Sequence, residues 1–299
     1  MKSVLSGRLF SLAALFFVMI GVWGSQGFAA EPARGSFYMV STGVGDPDNI
    51  TLRALNTIKK SDIVFCDEEE RKIWGELLAG KEIHPRPGIH IHKYLQTLRG
   101  GQMMAAGKAM TDSDKTKAIL EEINKFATLV KNAVKKGKTI SLLESGDPAI
   151  YGPQIWIMEA LQEIDPVIIP GVSSFNAANA ALQKGLTFGV EARSAILTNG
   201  AGLRPEYQGA DTIAKLAASR SSMVFFTMHV DLKKLVPELL GHYPADTPVA
   251  VVAEAGYAAK ERVIRGTLET ILDKLGEQDI PFSHLVYVGD FLKDHWDIF

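Results

Sequence analysis

A single cysteine, Cys66, stands among 299 residues, which excludes an internal disulfide framework and any zinc cluster built on cysteines. There is no excess of positive charge: 32 Lys plus Arg face 34 Asp plus Glu, a net of −2. The totals therefore carry no basic surface able to hold nucleic acid non-specifically, and no nucleic-acid partner is expected. There is no repeat at a fixed period and no low-complexity tract, and no P-loop lysine follows a glycine-rich turn. Beyond Val22 no apolar run is long enough to span a bilayer as a helix. What is present is 46% hydrophobic and 22% charged residues, enough for a full core in one large domain or two modest ones.

The first thirty residues read as a secretory signal. Lys2 and Arg8 give the positive start, Leu9 to Val22 the apolar core, and Gly27-Phe28-Ala29 the small residues that a signal peptidase reads. The apolar core is short of the ~20 residues that a spanning helix needs, and no cysteine follows it to carry a lipid. An uncleaved N-terminal anchor is the alternative. The expectation is a signal peptide over 1–29 and an exported, periplasmic protein with no membrane association after cleavage.

From Gly35 onward short β-rich runs alternate with amphipathic helical stretches. Ser36–Ser41, Asp62–Cys66, Thr139–Leu143 and Val167–Ile169 are short, apolar and bounded by polar or turn residues, as strands of a parallel sheet buried on both faces are. Ile50–Lys60 and Lys117–Lys136 read as helices; in the second, Ile119, Ile123, Phe126, Val130 and Val134 recur at helical spacing. This alternation predicts an α/β fold with right-handed crossovers. After Pro170-Gly171 the strand candidates are Ser194–Thr198, Ser222–Thr227, Pro248–Ala253, Arg262–Thr267 and His284–Gly289. The third and fourth lie too close together for an intervening helix, so part of this sheet is antiparallel. The expected organisation is an α/β domain over 36–169 and a mixed α/β domain over 170–299, with a cleft between them. Residues 84–116 show the least pattern and read as a long loop or lid.

Two strands end alike, one in Ser41-Thr-Gly-Val-Gly-Asp-Pro47 and one in Ser145-Gly-Asp-Pro148. At the carboxyl ends of parallel strands such loops face ligands, glycine lets backbone approach closely, and Asp-Pro also serves simply as a helix start. Asp46 and Asp48 would repel a pyrophosphate, which ranks a dinucleotide oxidoreductase low. A ligand without phosphate, bearing ribose hydroxyls and a positive charge, suits the loops better, and S-adenosylmethionine has those features.

Those residues carry a resemblance. Ser41–Pro47 with Leu52-Arg-Ala-Leu55 and Ser61-Asp-Ile-Val-Phe-Cys-Asp67 resembles the opening of the tetrapyrrole (corrin/porphyrin) methyltransferases. Ser145-Gly-Asp-Pro-Ala-Ile-Tyr-Gly152 is similar to their second signature loop and Pro170-Gly-Val-Ser-Ser174 to their third. Phe226-Thr-Met228, Thr247–Glu254 and Arg262–Leu268 follow in the family's order, over about residues 36–290. Ala195–Thr198 followed by Arg204-Pro-Glu206 leans toward the precorrin-4 branch. Ser41 and Val44 depart from the glycine and proline usual in the first loop.

The resemblance implies an S-adenosylmethionine-dependent C-methyltransferase of a tetrapyrrole, a homodimer with the cofactor in the cleft. It implies cofactor contacts at Val44, Ser145, Gly146, Asp147, Ile150, Ser173, Ser174, Met228 and Gly256, a proton acceptor at Asp67, and Arg86 as the nearest match to the partner proton donor. No resident metal is implied. The alternative is an exported non-catalytic binder of a tetrapyrrole or metal, using His84, His90 and His92, the last two on one side of an extended strand.

Overall fold

The computed structural model describes residues 35–97, 114–205, 207, 209–226, 230–276, 278 and 280–294. The expected signal peptide, Met228 and His229 lie outside the described residues. No helix among those described is long and apolar enough to cross a membrane.

Five short apolar runs make the first sheet: β1 (Phe37–Ser41), β2 (Ile63–Cys66), β3 (Glu82–Pro85), β4 (Ile140–Glu144) and β5 (Val167–Ile169). They are ordered β3-β2-β4-β1-β5 and pair in parallel throughout. Both faces are covered. Phe37, Met39, Phe65, Ile140 and Leu142 pack one way, Tyr38, Val40, Val64 and Leu143 the other. That is why these strands read as continuous apolar runs rather than alternating ones.

The helices of this half are α1 (Leu52–Lys60), α2 (Glu68–Ile73), α3 (Gly75–Leu78), α4 (Ile89–Thr97), α5 (Asp114–Lys135), α6 (Pro148–Tyr151) and α7 (Trp156–Ala160). Thr51 caps α1 by accepting from Ala54 N–H (3.1 Å). From α1, Ala54 and Ile58 cover one face, while Phe126 and Val130 of α5 cover the other.

Of the stretch 84–116 expected to be a long loop or lid, residues 98–113 lie outside the described residues, and most of the others fall in β3, α4 and the start of α5. β3 escapes a sequence reading because it is a four-residue edge strand, partly exposed and ended by a proline. α4 then carries His90 and His92. Two residues apart on a helix, they do not share a face, so the extended strand expected to align them is not formed.

After β5, Pro170–Ser173 leads into α8 (Ser174–Leu182), whose Ala178 and Leu182 pack on a second sheet. That sheet comprises β6 (Ala195–Asn199), β7 (Ser222–Phe226), β8 (Pro248–Ala253), β9 (Arg262–Thr267) and β10 (His284–Val288), ordered β6-β7-β10-β8-β9. Only β6 and β7 are parallel; the other pairings are antiparallel, as the short β8–β9 spacing requires. Helices α9 (Ile213–Ala217), α10 (Leu232–Leu240) and α11 (Ile271–Leu275) cover its far face, contributing Ile213, Leu235, Leu239 and Ile271 to the core against Met223, Phe225, Val251 and Val286. The expected α/β class, one parallel and one mixed sheet, is what the chain forms.

Candidate active site

β1 and β4 are neighbours with Ser41 beside Glu144, so the two Gly-Asp-Pro loops emerge side by side. They are joined by backbone. Gly43 and Gly146 form an isolated bridge, with Gly146 N–H donating to Gly43 O (2.7 Å) and Thr42 N–H to Glu144 O (2.9 Å). The Ser41 hydroxyl donates to the Gly146 carbonyl and accepts from Gly43 N–H (3.1 Å), so serine in place of glycine adds a tie between the loops. Gly171, from the third motif, lies where a Cβ would fall 2.0 Å from Ser41 Oγ. All three motifs therefore meet at one point.

The first loop also grips the second half of the chain. Gly45 has φ +83° and a Cβ there would fall 2.2 Å from the Gly256 carbonyl. Asp46 N–H donates to Gly256 O (2.9 Å), Asn49 Nδ2 donates to Val44 O (2.9 Å) and Gly256 O (3.1 Å), and Ala258 N–H donates to the Asp46 carboxylate (2.8 Å). The sequence reading set Asp46 against a ligand phosphate; in the fold its carboxylate binds the 256–258 turn instead.

Val44, Ser145, Gly146, Asp147, Ile150, Ser173 and Ser174 line one cavity of about 190 Å³. Gly256 is not on that wall but packs behind Val44, and its neighbour Ala255 takes the place. The opposite wall, which sequence reasoning missed, is Phe226 and the 282–285 segment. Tyr151 stacks on Phe226 (centroids 5.4 Å apart, 12° between planes); it lies inside the second motif, which was the available signal. Asp147 caps α6 by accepting from Ala149 N–H (2.8 Å), so it is a helix cap and a cavity residue at once. Ser173 likewise caps α8, accepting from Asn176 N–H (3.3 Å). Burial lowers the pKa of His284, leaving an uncharged ring on this wall at neutral pH. No Lys or Arg is among the described lining residues. A carboxylate, hydroxyls, close-lying glycine backbone and aromatic faces suit a cationic nucleoside and give nothing to a diphosphate.

Ser145 also borders a second cavity of about 150 Å³, which Asp67, Glu70 and Arg86 line as well. Asp67 and Arg86 in turn border a third, of about 650 Å³, together with Cys66, Arg71, His84 and Gln154. The three spaces therefore run in series, and the two residues expected to handle protons stand between the last two.

Asp67 N-caps α2 in a capping box: its Oδ1 accepts from Glu70 N–H (2.8 Å) and Glu70 Oε2 accepts from Asp67 N–H (2.9 Å). Its Oδ2 is paired with the Arg86 guanidinium. Arg86 also reaches the Leu143 carbonyl (3.2 Å), Glu144 Oε2 (3.4 Å) and Glu70 Oε1 (3.5 Å). Burial works against its charge, but Glu70, Glu144 and Asp67 together outweigh that and raise its pKa. A guanidinium held this way keeps its proton, so Arg86 places charge rather than donating a proton. Burial first, with partial relief from Arg86, pushes both Glu70 and Glu144 up to about 7. Sequence reasoning missed both glutamates. Glu144 sits one residue before the second motif, and Glu70 at the third position of the capping box.

The histidines do not converge. His84 pairs with Glu82 (2.7 Å) and stacks on Phe65 (5.2 Å), while His90 pairs with Glu122 (2.8 Å). Among the described residues no group of three or more His, Cys, Asp or Glu could hold a metal.

The family described as Tetrapyrrole (Corrin/Porphyrin) Methylases matches residues 36–272. The chain is 32% identical over 261 residues to a cobalt-precorrin-4 C(11)-methyltransferase of Methanocaldococcus jannaschii, covering 85% of this chain and 87% of that protein. It is 28% identical over 257 residues to a precorrin-4 C(11)-methyltransferase of Pseudomonas aeruginosa, covering 85% and 90%. Among solved structures, a cobalt precorrin-4 methyltransferase superposes with a TM-score of 0.66 at 23% identity, covering 89% of this chain and 100% of that one. A uroporphyrin-III C-methyltransferase of Thermus thermophilus complexed with S-adenosyl homocysteine gives 0.55 at 22%, covering 86% and 98%.

Proposed function

The chain belongs to the tetrapyrrole (corrin/porphyrin) methylases, S-adenosylmethionine-dependent C-methyltransferases, and on that premise we propose that its substrate is a precorrin-4-type macrocycle methylated at C11. The relatives just named support the substrate class. The observation that carries the site is that Val44, Ser145, Gly146, Asp147, Ile150, Ser173 and Ser174, far apart in sequence, line one cavity without a cation among its described residues.

In this reading the 190 Å³ cavity holds the cofactor. Asp147 accepts from ribose hydroxyls and offsets the sulfonium charge, Gly146 lets the backbone approach, and Tyr151 with Phe226 gives the ring system an apolar face. Gly256 sets the position of Val44. When bound, S-adenosylmethionine supplies an electrophilic methyl group on sulfur. The 650 Å³ space, bordered by Asp67 and Arg86, takes the macrocycle. The protein aligns the two partners and excludes water, and Asp67 accepts the proton that the ring releases.

Two further parts of the proposal rest on other grounds. Export to the periplasm rests on the Met1–Ala30 pattern. A homodimer is supported by the family resemblance and by exposed apolar side chains at Phe188 and Val190.

Calorimetry tests the site. S-adenosylhomocysteine should bind and NAD should not, and Asp147→Ala should weaken the former at least tenfold; unchanged affinity in that variant refutes the cofactor assignment. Mass determination of the secreted protein tests cleavage after Ala29, and sedimentation tests the dimer.

A further inference from the structure

The Asp67 carboxylate meets its expected role with both oxygens already engaged, Oδ1 by the Glu70 N–H and Oδ2 by Arg86. To accept a proton on Oδ2 it must release the guanidinium, and a buried guanidinium that loses a hydrogen-bonded carboxylate is destabilised. The structure holds a replacement. Glu70 is 6% exposed; its Oε2 is used in the capping box, while its Oε1 is buried without a hydrogen-bond partner, 3.5 Å from Arg86 Nη1. Glu144 stands on the same guanidinium nitrogen at 3.4 Å. A buried carboxylate oxygen in ionic contact with a cation but without a hydrogen bond has a bond still to make, and a small movement of Arg86 would supply it.

We propose that Glu70, with Glu144 beside it, is a positioning residue for methyl transfer: it takes over the Arg86 guanidinium when Asp67 accepts a proton. The inference rests on the reading of the chain as a tetrapyrrole methyltransferase. As the methyl–carbon bond forms with a π pair of the ring, the pair of the broken sulfur–methyl bond stays on sulfur. The ring is left with a positive charge and discharges it by losing one proton. The proton goes to Asp67 Oδ2, its former bonding pair returns to the ring, the Arg86–Asp67 contact opens, and the Arg86–Glu70 contact closes. The guanidinium thereby keeps an anionic partner in close contact while Asp67 is neutral.

The takeover needs Glu70 ionised. The groups facing it are Asp67 on its own helix, Arg86 after β3, Glu144 at the end of β4 and the Cys66 thiol at the end of β2. Burial holds Glu70 up to about 7, so the rate should rise with pH through the neutral range. Glu144 contributes to that elevation.

The test compares wild type with Glu70→Gln, which preserves the capping box, and with Glu144→Gln. Methyl transfer to precorrin-4 is followed across pH 5–9, S-adenosylhomocysteine affinity by calorimetry, and the carboxylic-acid carbonyl band of the free protein by infrared titration. Glu70→Gln should lower kcat at least about tenfold, leave KM and S-adenosylhomocysteine affinity in place, flatten the rise of rate with pH, and reduce the infrared band that titrates near neutrality. Glu144→Gln should move the rise to lower pH. A Glu70→Gln variant with wild-type kcat and an unaltered pH profile overturns the proposal while leaving the enzymatic reading standing. Failure of the wild type to bind S-adenosylhomocysteine overturns both.

Discussion

Replacing Glu144 by glutamine should make the protein's stability less sensitive to pH. Glu144 and Glu70 each rise from the usual 4.5 to about 7 in the fold. Between those values the native state holds protons that the unfolded chain has lost, so stability is fully present below about pH 4.5 and falls as pH rises toward 7. At ~1.4 kcal/mol per pH unit, the gap amounts to roughly 3 kcal/mol for each group. Both side chains are under a tenth exposed, so solvent screening is small. Glu144→Gln removes its own contribution and, by deleting a negative neighbour, part of that of Glu70. The variant should therefore gain about 3 kcal/mol on wild type between pH 4.5 and pH 8, whatever offset the substitution has at acid pH. Urea unfolding at intervals across that range, with both proteins in the same buffers, reads the difference directly. Two parallel stability curves would refute the account of Glu144 as a buried acid near neutrality.

Gly45→Ala should destabilise the protein by about 2–5 kcal/mol, from a left-handed backbone and from a Cβ placed against the Gly256 carbonyl, and should weaken S-adenosylhomocysteine binding through Val44; denaturation and calorimetry check both. Thr51→Ala, which removes the cap of α1, should cost about 1 kcal/mol in urea unfolding without changing cofactor affinity. Cys66 is buried and its thiol is pushed up to about 11, by burial first and then by Glu70 and Asp67. Alkylation at pH 8 should accordingly be slow in the native protein and become fast at the unfolding midpoint, as mass spectrometry would show.

The parallel sheet was legible because β1, β2 and β4 are buried on both faces, and such burial leaves its mark in every residue of the strand. β3 was not, since among the described residues it is an edge strand, with two half-buried side chains between exposed ends. The 190 Å³ cavity proposed for the cofactor was readable on its first-half wall, where each residue falls in or beside a Gly-Asp-Pro or Pro-Gly motif. The 282–285 segment was not legible as a cavity wall, because neither a turn nor the start of an antiparallel strand has a composition that points at a partner far earlier in the chain. Asp67 was picked out through the family resemblance, as a proton acceptor. Its further engagement with Arg86, Glu70 and Glu144 needed three chain segments to converge, and pairwise proximity between segments is not written in any one of them.

The backbone bridge between Gly43 and Gly146 has a dynamic corollary. Because Gly43 holds the Gly146 amide and Glu144, at the end of β4, holds the Thr42 amide, drawing the first loop away breaks both bonds, and the two amide protons are exposed by a single event. Their exchange with deuterated solvent should follow one common rate, and a ligand filling the adjoining space should slow both by the same factor.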